Sequence, residues 1–271
     1  MDQSEPPSNF NSKPPTTVYI FNMSEDVWPF ISAISDNQAR QTEIQENANL
    51  ADRDLFSLSY EDNFLFISPR PISDAFLNYY CQITKTKNIQ VAVTKVHTGT
   101  ICDDILHDEA ILNTIIAAAN HTHRLTLLSY ATTPQFLNLI TTLRQRGLTI
   151  FTPEAPEDQD AWTVNFYGSK SGIRQLAQKS TATEPDLKMP DGLILSGIVD
   201  AAHIAAWTYL EQGGVVVKTN KGHAGSGLLI FRPGDLPADY STCIQAILDR
   251  LKQNAYWDKF PIVVEDYIAS T

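Results

Sequence analysis

Between residues 64 and 152 the apolar and polar positions change period several times. Phe64–Ile67, Ile89–Val96, Leu125–Tyr130 and Leu148–Thr152 are short apolar runs, the second of them β-branched, which predict strands. Between the runs, apolar residues recur at helical spacing. Ile72, Phe76, Leu77 and Tyr80 define a helix over Ile72–Thr84, and Pro134–Arg146 defines another that Gly147 stops. Asp103 and Asp104 open a third helix running to Ala119, with acids placed where the helix dipole favours them. Val18–Phe21 adds a strand ahead of this series, and Met23–Ser57 predicts one or two helices. Strands alternating with helices of about a dozen residues mean parallel βαβ units and a doubly wound open sheet. Residues 17–152 are therefore expected to form one Rossmann-like domain.

The texture changes at Pro153. TPEAPEDQD is acidic and proline-containing and reads as a linker. In NFYGSKSGIRQLAQKS, Ser169 or Ser171 caps a helix reaching about Lys179, with Lys170 in its first turn. The free N–H groups of such a helix start favour phosphate. Ser180–Pro190 is a loop, Leu193–Leu195 a strand, and Val199–Gln212 a helix. Val215–Val217 is a strand ending on Lys218, Leu228–Phe231 a second strand, Tyr240–Gln253 an amphipathic helix, and Ile262–Ile268 the last strand.

Composition narrows the class. The 271 residues are 43% hydrophobic and 19% charged, as in a globular protein long enough for two cores. A net charge of −11 argues against nucleic acid as a partner, since phosphate neutralisation needs clustered cations. The three cysteines, Cys81, Cys102 and Cys243, are far apart and lack CxxC spacing, which suits a reducing, cytoplasmic setting. Residues 1–16 read as a polar, proline-rich, disordered leader without the apolar segment of a signal peptide. No apolar run has the length to cross a membrane.

The densest chemistry lies in GGVVVKTNKGHAGSGLLIF, residues 213–231. Glycines at 222, 225 and 227 let backbone N–H groups turn into one concavity and approach a polyphosphate, with Lys218 as a cation at its edge. His223 and Ser226 lie in the same loop. It is not a Walker loop, because Gly227 is followed by Leu228 and Leu229 rather than Lys-Ser/Thr. It is not a dinucleotide fingerprint either, because GHAGSG reverses the glycine spacing and runs into a strand. A plain β-hairpin with a glycine tip fits the same residues. Elsewhere, Arg70 in SPRPIS reads as a surface residue of a proline-fixed turn, and His121 and His123 as loop residues without convergent ligands. Trp28, Trp162, Trp207 and Trp257 read as core or interface anchors.

The order of helix-start Lys170, strand-end Lys218, glycine loop and the acid of VVEDYI resembles the ATP-grasp superfamily. NLADRDLFSL, SPRPISDAFLNYY and GSKSGIRQL are further similar to enzymes with a pre-ATP-grasp domain, of the pheganomycin-type peptide ligase kind. The resemblance implies an α/β fold: a pre-ATP-grasp domain over 17–152, the first α+β lobe with its glycine flap over 153–261, and the start of a truncated second lobe at 262–271. It implies that Lys170 and Lys218 hold the ATP phosphates and that Gly222–Gly227 closes over them. It implies too that Glu265 accepts from the adenine amine and that the backbone N–H of Ile268 meets the ring. Such enzymes join a small-molecule or peptide carboxylate to an amine through an acyl phosphate, with magnesium. Their metal ligands and ribose carboxylate lie beyond Thr271, so magnesium ligands are expected outside this chain. Glu265 and Asp266 face opposite ways on one strand and cannot share a metal, and that strand is expected to form a raw sheet edge. Two readings remain open. One is the ATP-binding portion of a ligase, incomplete as this chain and completed by a second chain or acting as a homodimer. The other is a non-catalytic nucleotide-binding or partner-binding module.

Overall fold

The computed structural model describes residues 16–58, 63–86, 88–119, 123–222, 225 and 227–269. Except for Thr16, the expected leader lies outside these residues. They divide into two compact units, one of Asn47–Ala155 with the described residues up to Met23, the other of Ser24–Glu46 with the residues from Pro156 onward.

In the first unit β1 (Thr16–Ile20), β2 (Asn63–Ser68), β3 (Asn88–Val93), β4 (Arg124–Ser129) and β5 (Thr149–Phe151) form one parallel sheet, ordered β3-β2-β1-β4-β5. Val18 lies opposite both Leu65 and Leu127, and all three are buried. On this face pack Ile105, Ile115, Phe136 and Leu139 from the helices that follow β3 and β4. The other face, with Tyr19, Phe64 and Phe66, is covered by Leu55, Leu58 and Tyr80. Buried on both sides, the inner strands β1 and β2 read as continuous apolar runs, which is how a parallel sheet announces itself in sequence.

Two local expectations need correction. The helix expected to run to Ala119 is two, Ile101–Leu106 and Glu109–Ala118, because the Asp108 carboxylate accepts from the N–H groups of Ala110 and Ile111 and starts the second. Met23–Ser57 holds four short helical segments, Met23–Asp26, Trp28–Ile31, Asn37–Ala48 and Ala51–Asp54, and a 3-10 turn begins at Leu55. Ser24–Glu46, counted from sequence with the first domain, groups with the second unit. There Phe30 packs on the rings of Tyr256 and Phe260 at 5.1 and 5.6 Å, and Val27, Ile31 and Ile44 form a small buried cluster.

The rest of the second unit is built on an antiparallel sheet of β6 (Gly192–Leu195), β7 (Val215–Thr219), β8 (Leu228–Phe231) and β9 (Ile262–Asp266), ordered β6-β9-β7-β8. β9 is therefore not a raw edge. Val264 lies opposite Leu193 on one side and Val217 on the other, and Ile262–Val264 are buried. One sheet face, with Val215, Val217, Ile262 and Val264, packs on Ala202, Ala205, Cys243 and Ile247 of the helices Ile198–Gln212 and Tyr240–Leu251. Trp257 joins this core, whereas Trp162 and Trp207 are more than half exposed and are not core anchors. TPEAPEDQD is followed by a helix that periodicity did not predict, Trp162–Tyr167. None of the three cysteines is in a disulfide. Among the described residues no helix is long and apolar enough to cross a membrane.

Candidate functional site

Directly paired residues of antiparallel strands project to the same face. Lys218 and Val216 of β7, Val263 and Glu265 of β9, Gly192 and Ile194 of β6, and Leu228 and Ile230 of β8 thus share the sheet face away from the helical core. Ile194, Leu228 and Ile230 on it are each nearly two-fifths exposed. The helix Lys170–Ser180 brings Lys170 and, one turn on, Arg174 to this face.

Glu265 is the hub. Its Oε1 accepts from Arg174 Nη2 at 2.7 Å, and its Oε2 accepts from the Lys218 ammonium. Arg174, 3% exposed, also donates to the carbonyls of Pro190 and Gly192 at 2.9 and 3.4 Å, while its Nε is buried without a partner. Burial pushes the Glu265 carboxyl up, but the hydrogen bonds and charges of Lys218 and Arg174 outweigh it and hold the pKa below the ordinary glutamate value. Lys170 is pushed below the ordinary lysine value by burial and by the like charge of Lys218, against an opposing pull from Glu265. Three cations thus face one carboxylate in a chain that is acidic as a whole, and the surplus positive potential suits a polyanion.

The helix start behaves differently from the sequence expectation. The N–H of Lys170 donates to the Asn220 carbonyl at 3.0 Å, that of Ser171 to Asn220 Oδ1 at 2.8 Å, and that of Gly172 to the capping Ser169 Oγ at 3.0 Å. These donors are taken, so the free N–H groups expected to favour phosphate are not there. Attraction for an anion at this end rests on the side-chain ammonium groups. What Asn220 does instead is join the helix to the end of β7, which fixes Lys170 near Lys218.

The glycine loop connects β7 to β8. It begins at Asn220 and contains Gly222; Gly225 and Gly227 adopt positive φ of 88° and 74°, and His223 and Ser226 lie outside the described residues. A Cβ on Gly227 would fall 1.8 Å from Thr219 Cγ2, so glycine is required where the loop rejoins the sheet. Ile268 follows β9 and is 68% exposed. Of the residues singled out from sequence, Lys170, Lys218 and Glu265 come together. Arg174 and Asn220 were missed, although Arg174 stands four residues after Lys170, on the same helix face. His123 is exposed, Arg70 bonds Asn49 from an exposed turn, and His121 lies outside the described residues.

Comparison with known proteins bears on the first unit. Residues 51–145 match the Pre ATP-grasp domain family. That match supports the ATP-grasp relationship expected from the residues. Among solved structures the chain is similar to D-alanyl-alanine synthetase A from Vibrio cholerae, at 9% identity and a TM-score of 0.39. The alignment covers 95% of this chain and 61% of that one, so the chain spans less than two thirds of the solved protein. No curated protein matches it.

Proposed function

We propose that the second unit is the nucleotide-binding part of an ATP-dependent carboxylate–amine ligase, of the peptide-ligase type with a pre-ATP-grasp domain. The observation that carries this reading is the convergence of Lys170 and Lys218 on Glu265, beside a glycine loop and on a partly exposed apolar sheet face. Lys170 and Lys218 hold the triphosphate, Gly222–Gly227 closes over it with His223 and Ser226, and the base lies toward Glu265, Ile268 and the apolar residues of β6 and β8. The Pre ATP-grasp match over 51–145 adds support from a separate part of the chain.

In this chemistry a carboxylate oxygen attacks the γ-phosphorus, the bond to the bridging oxygen breaks, and ADP leaves. The amine nitrogen then attacks the acyl carbon and expels phosphate. Positioning and charge stabilisation do most of the work in phosphoryl transfer, and both ammonium groups serve it. Closure of the loop keeps water from the acyl phosphate. Magnesium neutralises phosphate charge in such enzymes, but among the described residues no three His, Cys, Asp or Glu side chains converge to hold a metal. Glu265 is committed to two cations, so no step is assigned to magnesium here. The substrates of the class are a small-molecule or peptide carboxylate and an amine.

The test is calorimetric titration of ATP into the chain and into Lys218→Ala. The wild type binds, and the variant binds about tenfold more weakly or worse, as expected for loss of one charge-assisted hydrogen bond. Unchanged affinity in a folded variant would show that Lys218 does not touch the nucleotide.

A further inference from the structure

Glu265 has two oxygens and both are in use. Arg174 holds Oε1 and Lys218 holds Oε2. The two donors differ in freedom. Arg174 is buried and pinned by the carbonyls of Pro190 and Gly192. The Lys218 side chain is 28% exposed, on a flexible four-carbon stem, and the like charge of Lys170 is close by. On the remaining side, the Gly192 backbone is so close that a Cβ there would sit 2.9 Å from Glu265 Cα and 3.0 Å from its Cγ. A third donor reaches this 7%-exposed residue most readily at the position Lys218 fills.

We propose that base and phosphate recognition are coupled through Lys218: its ammonium occupies Glu265 Oε2 until a polyphosphate draws it away, and only then does that oxygen accept the exocyclic amine of the base. Arg174 is a positioning residue in this scheme, keeping Oε1 engaged so that departure of Lys218 frees a single, oriented acceptor. The inference rests on the nucleotide reading above and adds something that reading does not require, a positive cooperativity between the two halves of one ligand. By linkage the effect is reciprocal, so a nucleoside also favours polyphosphate binding.

The experiment uses the whole chain and separable halves of the ligand. Adenosine is titrated with and without saturating inorganic tripolyphosphate, and purine riboside, which lacks the amine, is titrated in parallel. The expected result is an adenosine affinity at least about fivefold tighter with tripolyphosphate, at the lower end of ordinary site–site coupling, and no such gain for purine riboside. In Lys218→Met, adenosine alone binds more tightly than to the wild type, ATP binds more weakly, and tripolyphosphate no longer helps adenosine. Equal adenosine affinity with and without tripolyphosphate, or an equal gain for purine riboside, overturns the coupling while ATP binding still stands. If neither ATP nor tripolyphosphate binds the wild type, the nucleotide reading itself fails. The wild-type arm needs no variant, so misfolding of Lys218→Met leaves the result decisive.

Discussion

Lys170 is the residue whose protonation reports most directly on a bound anion. Burial and the neighbouring Lys218 charge both favour its neutral amine, so its pKa in the free protein lies below the ordinary value of about 10.4. A group with a lowered lysine pKa destabilises the fold while charged, and that cost is relieved as pH rises through the depressed pKa toward the ordinary one. A polyphosphate supplies the missing counter-charge and moves the pKa back up. Between the free and bound values the protein must then take up protons on binding. Calorimetry of ATP just below the ordinary lysine pKa of about 10.4, in two buffers of different ionisation enthalpy, is expected to show uptake in the wild type and little in Lys170→Met. Equal uptake in both proteins would place the proton elsewhere. Glu265 works with the opposite sign. Its lowered pKa contributes stability that is complete above the ordinary glutamate value of about 4.3 and is lost as pH falls through the depressed one.

At the scale of elements the question is what holds the helix Lys170–Ser180 where its cations meet β7 and β9. GSKSG is a steric device as much as a chemical one. A Cβ on Gly172 would lie 1.7 Å from the Phe166 carbonyl oxygen, which is backbone and cannot swing aside. Replacing glycine by alanine inside a helix ordinarily stabilises by about 0.4–1 kcal/mol. Gly172→Ala is expected to reverse that sign and cost about 1–3 kcal/mol through overpacking, read as a lower urea midpoint, with weakened ATP binding because Lys170 and Arg174 move together. A neutral or stabilised variant would mean the turn is looser than its geometry implies. Much of this scale was legible in the chain. The cap at Ser169, the apolar strand runs and the strand–lysine–glycine pattern are local signals. What could not be read is set by distant pairing. Nothing near β9 says that it lies between β6 and β7, and nothing near Lys170 says that Asn220 fills the helix's free donors. Arg174 was hidden because a buried arginine looks like any surface arginine until its partners, 16 to 91 residues away in sequence, are in place.

At the scale of the molecule, each unit has its own core and its own reporter. Cys102 is fully buried in the parallel-sheet core, and Cys243 is fully buried under the antiparallel sheet. Units with separate cores are able to open separately, each with its own free energy. Under conditions where reclosing outpaces thiol modification, the labelling rate of each cysteine follows the population of its own open state. A ligand that binds only the folded second unit lowers that population by the factor 1 + [L]/Kd. At ATP near 100 times its Kd, labelling of Cys243 is expected to slow about 100-fold, equivalent to about 2.7 kcal/mol, while labelling of Cys102 is unchanged. Mass spectrometry of each labelled peptide reads the two rates in one sample. Were Cys102 protected as strongly as Cys243, the two units would be opening together; were only Cys102 protected, the nucleotide site would belong to the parallel-sheet unit and the assignment of Lys170, Lys218 and Glu265 would fall.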